Sequence, residues 1–340
     1  MRVSFVIPTW NRSDLLALAL ASIRAQTLAA AEVIVVDNGS ADGSPQLARA
    51  GGARVIELGR NRGFSYAVNR GIEAAGGELV AVVNNDLEIE PDWTERLAAA
   101  LERKGGWFAT GKVLDHARRD RIDGAGDAIC RGGTAWRLGQ GRPDGPLFDQ
   151  PRATFFPAAT ALLARRQFFE RVGGFDEAFF AYLEDVDLGL RAALMGLAGV
   201  YEPSAVAYHR GGASWGAWSA QSVRWMTRNQ ILLLAKFYPA SWQPRVWGPV
   251  VAAQTLWGAM ALRRGRWLAY LGGLAAGVAS SVAARRSGAG WRRNGARLAT
   301  VLAASEAELE RFQRATGYDR YWRWYFQLVP PRPPARPEAP

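Results

Sequence analysis

Leu79-Val80-Ala81-Val82-Val83-Asn84-Asn85-Asp86 is the stretch that decides the fold. Five apolar residues in a row are too few for a helix and suit a strand buried on both faces. The run then breaks into two amides and a carboxylate. Ligands of open α/β sheets gather at the carboxyl ends of such strands. A hard carboxylate flanked by amides, without thiols or imidazoles, suits an oxygen-liganded Mg²⁺ or Mn²⁺ that carries a phosphate.

Outward from this stretch, apolar runs alternate with amphipathic ones. Strands are expected over 3–8, 33–37, 54–58, 79–84 and 108–113, with helices over 13–24, 45–50, 64–75 and 92–103. Ser13 is the expected N-cap of the first helix. Such alternation means βαβ units and a mostly parallel sheet. The segment 114–150, rich in Gly, Arg and Asp, has no clear period and reads as loops or an antiparallel insertion. Regularity returns over 155–164 and in helices over 183–194 and 229–237, the last closing a catalytic domain of 1–239.

Bulk properties narrow the class. The 340 residues allow a large domain plus an appendage, or two domains, and 49% apolar with 21% charged residues excludes disorder as the general state. The single cysteine, Cys130, excludes an internal disulfide and fits a reducing compartment. Met1-Arg2 runs into Val3-Ser4-Phe5-Val6-Ile7 without a charged-then-apolar leader, so the amino-terminal domain is expected in the cytoplasm. From Ala240 onward 15 Arg and no Lys stand against 5 acids, which accounts for all but one of the +11 net charges. A basic appendage on a near-neutral domain points to phosphate, of lipid or of nucleic acid.

Three strand ends aim polar groups at one edge: Pro8-Thr9-Trp10-Asn11, Asp37-Asn38-Gly39-Ser40 and Asn84-Asn85-Asp86. No GxGxxG follows the first strand, which disfavours a dinucleotide site. Asp37 suits a ribose or base N–H, or the capping of an Asx turn. Asn61-Arg62-Gly63-Phe64 opens a helix whose first N–H groups favour an anion such as a diphosphate. A second cluster is Glu184-Asp185-Val186-Asp187-Leu188-Gly189-Leu190-Arg191. Three carboxylates in four positions crowd like charges. Helical spacing puts Glu184, Asp187 and Arg191 on one face and turns Asp185 elsewhere. Of the two histidines, His116 reads as a surface residue. His209 ends a strand-like segment 24 residues after Asp185.

Taken together these residues resemble family two of the inverting glycosyltransferases with the GT-A fold, especially its rhamnosyltransferase-like bacterial branch. The likeness runs from Val3 to about Pro239. Its elements stand in family order: Val6-Ile7-Pro8-Thr9-Trp10-Asn11-Arg12, then Val35-Val36-Asp37-Asn38-Gly39-Ser40, then Asn61-Arg62-Gly63-Phe64 with Asn69 and Gly71. Asn84-Asn85-Asp86 occupies the place of the DXD motif, followed by Val172-Gly173-Gly174-Phe175-Asp176-Glu177, the Glu184-Asp185 pair and His209. The resemblance implies a Rossmann-like, mostly parallel α/β sheet and a nucleotide-sugar donor linked to dTDP, UDP or GDP. It makes Asp86 and His209 ligands of Mg²⁺ or Mn²⁺, Asp185 the catalytic base and Glu184 an acceptor contact. Pro8, Thr9, Asn11, Asp37, Asn38, Asn61, Gly63, Asn69, Asn84 and Asn85 are its donor-side candidates. Asn84 departs from the fullest motif by one negative charge, and Ala159 stands where relatives often carry Gly in the sugar pocket.

Apolar runs over 246–262 and 267–284 are near the lower length for crossing a bilayer. A two-pass hairpin would export Arg263, Arg264 and Arg266, against the positive-inside tendency. In-plane helices on an anionic membrane surface avoid this, with Trp247, Trp257, Trp267 and Trp291 at the interface. The expected organisation is therefore a catalytic domain, a basic, apolar helical membrane-associating region over 240–328, and a disordered Pro/Arg-rich tail over 329–340. The expected location is peripheral or monotopic, on the cytoplasmic face of the plasma membrane. The acceptor is expected to be a lipid-linked saccharide or surface glycan, and nucleic acid is disfavoured as a partner. The competing readings are a sugar-phosphate nucleotidyltransferase, for which residues 8–12 lack a phosphate loop, and a non-catalytic binding protein on a degenerate scaffold.

Overall fold

The computed structural model describes residues 1–211, 218–241 and 243–330. Most of the tail expected over 329–340 lies outside the described residues. The chain divides into two units, one of Met1–Gly126 with Gly139–Ser214, the other of Asp127–Leu138 with the described part of Trp215–Pro340.

The first unit runs β1 (Val3–Thr9), α1 (Ser13–Arg24), β2 (Glu32–Asp37), α2 (Ser44–Ala50), β3 (Arg54–Glu57), α3 (Phe64–Ala74), β4 (Leu79–Val83), β5 (Leu87–Ile89), α4 (Trp93–Lys104), β6 (Phe108–Asp115) and β7 (Ile122–Gly124). The β8 (Asp127–Ile129) and β9 (Ala135–Arg137) hairpin belongs to the second unit. The first then resumes with β10 (Arg152–Thr154), β11 (Ala161–Arg165), α5 (Arg166–Val172), α6 (Glu184–Met195) and β12 (Gly199–His209). The large sheet has the order β10-β12-β6-β11-β4-β1-β2-β3. β11 is antiparallel to β4 and β6, and β10 to β12, while the other pairs along this order are parallel. The expected mostly parallel α/β sheet is present.

β4 is buried at every position. Its pleat sends Ala81 and Val83 into one core with α1 and α4, and Val80 and Val82 into another with α3, α5 and α6. Two apolar faces explain why no polar residue interrupts the run. Strand order turns outward in opposite directions from β1 and β4, so their carboxyl ends flank the crevice where such sheets take ligands.

Gly71 lets α3 approach β1. A Cβ there would lie 2.2 Å from Val6 Cγ1. Gly71→Ala is expected to destabilise the protein by about 1–3 kcal/mol through overpacking. Urea unfolding would read this as a lower midpoint at unchanged slope, and an unchanged midpoint would contradict the packing.

One capping expectation is corrected. Arg12, not Ser13, stands at the N-cap of α1, and it makes no side-chain cap bond. Asn11 and Arg12 take φ values of 58° and 65°. The following loop supplies acceptors instead: Ser40 Oγ accepts Asn11 N–H at 2.7 Å and Asp42 Oδ2 accepts Ser13 N–H at 2.8 Å.

The second unit holds α7 (Ala220–Phe237), α8 (Pro244–Arg263), α9 (Trp267–Ser287), α10 (Gly295–Thr316) and α11 (Arg320–Leu328). The helix expected over 229–237 is thus the second half of α7 and groups with the later helices. The aperiodic middle segment contributes the antiparallel β8–β9 hairpin, tied to α10 and α11 by polar contacts. Ser305 Oγ accepts Ile129 N–H at 2.8 Å, and Glu306, 1% exposed, pairs with Arg131 Nε at 2.6 Å. Tyr321 Oη donates to Thr134 Oγ1 at 2.9 Å. Cys130 is buried there, and burial, then the Glu306 charge, pushes its thiol pKa up to about 12.

Candidate active site

The crevice between β1 and β4 is framed by amide side chains bonded to backbone. Asn85 Nδ2 donates to Thr9 Oγ1 at 2.9 Å, joining the two strand ends. Asn38 accepts Arg62 N–H at 2.8 Å and donates to Gly63 O at 3.1 Å, while Asn61 Oδ1 accepts Gly63 N–H at 2.9 Å. Asn11 Oδ1 accepts Ala41 N–H at 2.9 Å. Pro8 and Thr9 are the buried last residues of β1. Asp37, 2% exposed, accepts the N–H groups of Gly39 and Ser40, both at 3.1 Å to Oδ2, so it forms the Asx turn. Thr9, Asn11, Asn38, Asn61 and Asn85 therefore shape the loops. Asn84 differs: its Oδ1 is buried and makes no hydrogen bond.

Asn69 is bonded to the Phe175 turn. Its amide holds the turn before the acidic helix, accepting Phe175 N–H at 2.9 Å and donating to Phe175 O at 2.8 Å. Ala159 is packed in the core beside α3 and α6.

The helix start at Gly63-Phe64 is occupied by protein. Phe180 O accepts Phe64 N–H at 2.6 Å and Ser65 N–H at 3.3 Å, in place of the anion expected there. Gly63, at φ +91°, has room for no side chain: a Cβ would sit 2.6 Å from the Phe180 ring and carbonyl. This pins the segment before α6 to the edge of the sheet. Phe180, Tyr182 and Leu183 all have positive φ, at 63°, 70° and 64°. Three such non-glycine residues cost roughly 1–3 kcal/mol each and gather where geometry serves function.

The strained turn delivers Glu184 and Asp185 as the first residues of α6. Asp185 is half-buried and its Oδ1 accepts Val186 N–H at 2.8 Å. Glu184 is 7% exposed. Asp187 is fully buried and accepts from Arg191 Nε at 2.8 Å, and Arg191 also donates to Val172 O at 2.7 Å and Gly174 O at 2.8 Å. Asp187 and Arg191 lock the helix, as their i, i+4 spacing suggests.

At the other side of the crevice, β12 ends on His209, which pairs with Leu87 of β5 and Asp115 of β6. The His209 ring lies between two carboxylates. Nδ1 is 2.8 Å from Asp123 Oδ2, and Nε2 is 3.4 Å from Asp86 Oδ1. Burial works against a charged ring, but Asp123 and then Asp86 outweigh it and raise the pKa to about 9. The two carboxylates thus favour a positive charge at this site. The donors fit Mg²⁺ or Mn²⁺: carboxylate oxygen and imidazole nitrogen, with the ring oriented from behind by a second carboxylate. Among the described residues no group of three or more His, Cys, Asp and Glu could hold a metal alone.

Sequence reasoning missed Asp123. It sits on the short strand β7, in the segment without period, and its partner His209 is 86 residues away. His116 is less exposed than expected: Nε2 lies 3.2 Å from Glu88 Oε2 and 3.1 Å from Arg210. With Arg12, Leu15, Asp115, Ala117, Arg210 and Gly211 it lines a cavity of about 320 Å³ next to His209.

Two family models match the chain: "Glycosyl transferase family 2" over residues 4–173 and "Glycosyl transferase family group 2" over residues 92–292. An N-acetylglucosaminyl-diphospho-decaprenol L-rhamnosyltransferase of Mycobacterium tuberculosis is 33% identical over 269 residues, covering 72% of this chain and 85% of the relative. The chain belongs to glycosyl transferase family 2. It is a glycosyltransferase, and its similarity to the mycobacterial enzyme places it on the rhamnosyltransferase-like side of family 2. An O-antigen biosynthesis protein of Myxococcus xanthus, RfbC, is 31% identical over 58% of this chain and 16% of its own. Among solved structures, the mannosyltransferase PcManGT of Pyrobaculum calidifontis, in complex with GDP-Man and Mn²⁺, superposes with a TM-score of 0.51. It has 19% identity, with 95% of this chain and 85% of that one covered. GalNAc-T7 with UDP, GalNAc and Mn²⁺ gives 0.58 at 14% identity, covering 97% of this chain and 56% of its own. These likenesses show the GT-A fold.

Proposed function

We propose that this family 2 member is a metal-dependent, inverting enzyme. It transfers a sugar from a nucleoside diphosphate donor to a lipid-linked saccharide or growing surface glycan, at the cytoplasmic face of a membrane. The observation that carries this reading is His209, with Nδ1 held by Asp123 and Nε2 3.4 Å from Asp86 at the ligand edge of the sheet. The relative that acts on a diphospho-decaprenol acceptor, and fold neighbours holding Mn²⁺ with a nucleotide or nucleotide sugar, support it.

Asp86 and His209 would hold the cation, which supplies charge stabilisation to the departing nucleoside diphosphate. Asp185 takes the proton from the acceptor hydroxyl as it attacks the anomeric carbon. The strained turn at Phe180, Tyr182 and Leu183 fixes where that carboxylate stands, and Glu184 orients the acceptor. Asp37 organises the loop on which the nucleoside rests. Arg12 and Arg210 give the neighbouring cavity a positive lining suited to phosphate.

A panel of dTDP-, UDP- and GDP-sugars, offered with Mn²⁺ or Mg²⁺ and a polyprenyl-diphosphate-linked N-acetylglucosamine, tests the reading. Transfer with inverted anomeric configuration is expected. Retained configuration would exclude Asp185 as the single base, and no binding of any donor under any metal would end the metal-dependent nucleotide-sugar reading.

Asp123→Asn tests the arrangement behind His209. Removing this support is expected to weaken Mn²⁺ binding by about 10–100-fold. Titration followed by the electron paramagnetic resonance of free Mn²⁺ reads it directly. Wild-type affinity in the variant would show that Asp123 does not serve the cation.

A further inference from the structure

We propose that α9 lies in the plane of an anionic lipid leaflet, with its outward face inserted among the acyl chains and its inward face fixed to α7. The inference rests on the reading that the enzyme works at a membrane, and adds the element that docks and the way it docks.

The inward face is built from small residues. A Cβ on Gly273 would lie 2.7 Å from Arg224 O and from Thr227 Cβ, and one on Gly277 would lie 2.8 Å from Ile231 Cβ. Backbone-close packing on this side leaves the large apolar residues of α9 on the other. Leu268, Leu271, Val278 and Val282 are 67%, 47%, 64% and 59% exposed. With the exposed Ala275 they follow helical spacing along one face, and no polar residue interrupts the stripe. At 1.5 Å per residue it extends for roughly 20 Å.

Charge names the occupant. No Asp or Glu occurs between Glu202 and Glu306. Arg263, Arg264 and Arg266 immediately precede α9, and Arg285 and Arg286 stand at its end. An apolar stripe bracketed by arginines in an acid-free stretch matches a leaflet with acyl chains below and anionic headgroups above. A protein surface of carboxylates would match the arginines but not the stripe.

α9 is long and apolar enough to cross a membrane by length and composition. Its contact with α7 argues against crossing. α7 lies against the glycine face and carries the exposed Arg224 beside Gly273, so a spanning α9 would take that charge into the hydrocarbon. The expected tryptophan belt is also corrected. Trp257 is 2% exposed, its Nε1 donating to Thr227 Oγ1 at 2.8 Å. Trp247 and Trp291 are half-buried, and of the four only Trp267 is exposed.

The test uses the full chain. Leu271→Cys and Val278→Cys, labelled with an environment-sensitive fluorophore, are compared with Thr300→Cys on exposed α10, and the unaltered chain controls for labelling of buried Cys130. Vesicles rich in phosphatidylglycerol should blue-shift both α9 probes but not the α10 probe, and pure phosphatidylcholine should shift none. In flotation, Leu271→Glu with Val278→Glu should weaken binding at least about tenfold, and high salt should weaken that of the unaltered chain. A folded double variant that floats as well as the unaltered chain, with unshifted probes, overturns α9 as the docking face while leaving the membrane reading intact. No flotation of any form overturns both. Carbonate-resistant insertion overturns the in-plane arrangement in favour of a span. Concentration-dependent dimers, lost in the double variant without any vesicle effect, assign the stripe to a second copy and overturn the proposal.

Discussion

Asp185→Asn is expected to lower kcat by about 10³-fold, within the range that general-base catalysis supplies. The amide keeps the size of the carboxylate but cannot take up the acceptor proton. Asp185 is half-buried and accepts the N–H of its neighbour Val186, whereas Asp187 on the same helix turn is buried and locked to Arg191. The substitution should therefore leave the fold intact, with the donor Kd, measured by calorimetry, and the melting temperature close to those of the unaltered enzyme. Full activity in Asp185→Asn would remove Asp185 from the mechanism. Donor binding lost in parallel with kcat would move it to the donor side.

Asp86→Asn is expected to have a comparable effect with a different signature. It removes the one carboxylate at the end of Asn84-Asn85-Asp86 and leaves a neutral amide opposite His209 Nε2. Loss of a cation worth several kcal/mol in the transition state corresponds to about 10³-fold in kcat/KM. Here Mn²⁺ and donor binding fall together, which Asp185→Asn does not cause. A chelator should silence the unaltered enzyme and added Mn²⁺ should restore it, while Asp86→Asn gains nothing from the metal. Activity that survives both chelation and this substitution would show that the diphosphate leaves without a metal.

Both predictions concern candidate residues that stand out in the sequence, for a shared reason. Asp86 ends an apolar run long enough to be a strand and short enough not to be a helix. Asp185 stands out by spacing within its own helix. Local periodicity also revealed the parallel sheet and most helices of the first unit. What it could not reveal depends on contacts between distant segments. Asp123 lies in a stretch without period, so nothing local ties it to His209. The Phe180 carbonyl fills the N-terminus of α3 from 116 residues along the chain, where helix chemistry alone suggested a phosphate. Asn69 resembles a ligand by residue type, but its amide fits a backbone turn equally well. Trp257 illustrates the same limit in the basic region, since composition marks a tryptophan as amphiphilic without saying which surface covers it.

The β8–β9 hairpin has a consequence for how the protein is made. Ser305, whose side-chain Oγ accepts the Ile129 N–H, follows Ile129 by 176 residues. At ribosomal rates of about 5–20 residues per second, the hairpin emerges roughly 10–35 s before the helix that completes its surroundings. The second unit cannot begin to close until the first has been synthesised through β12. Cutting the chain near residue 240 would not release a tidy catalytic half, because it would strand Cys130 and its neighbours without their cover. The order of synthesis leaves this hairpin waiting for its partners while the chain is still being built.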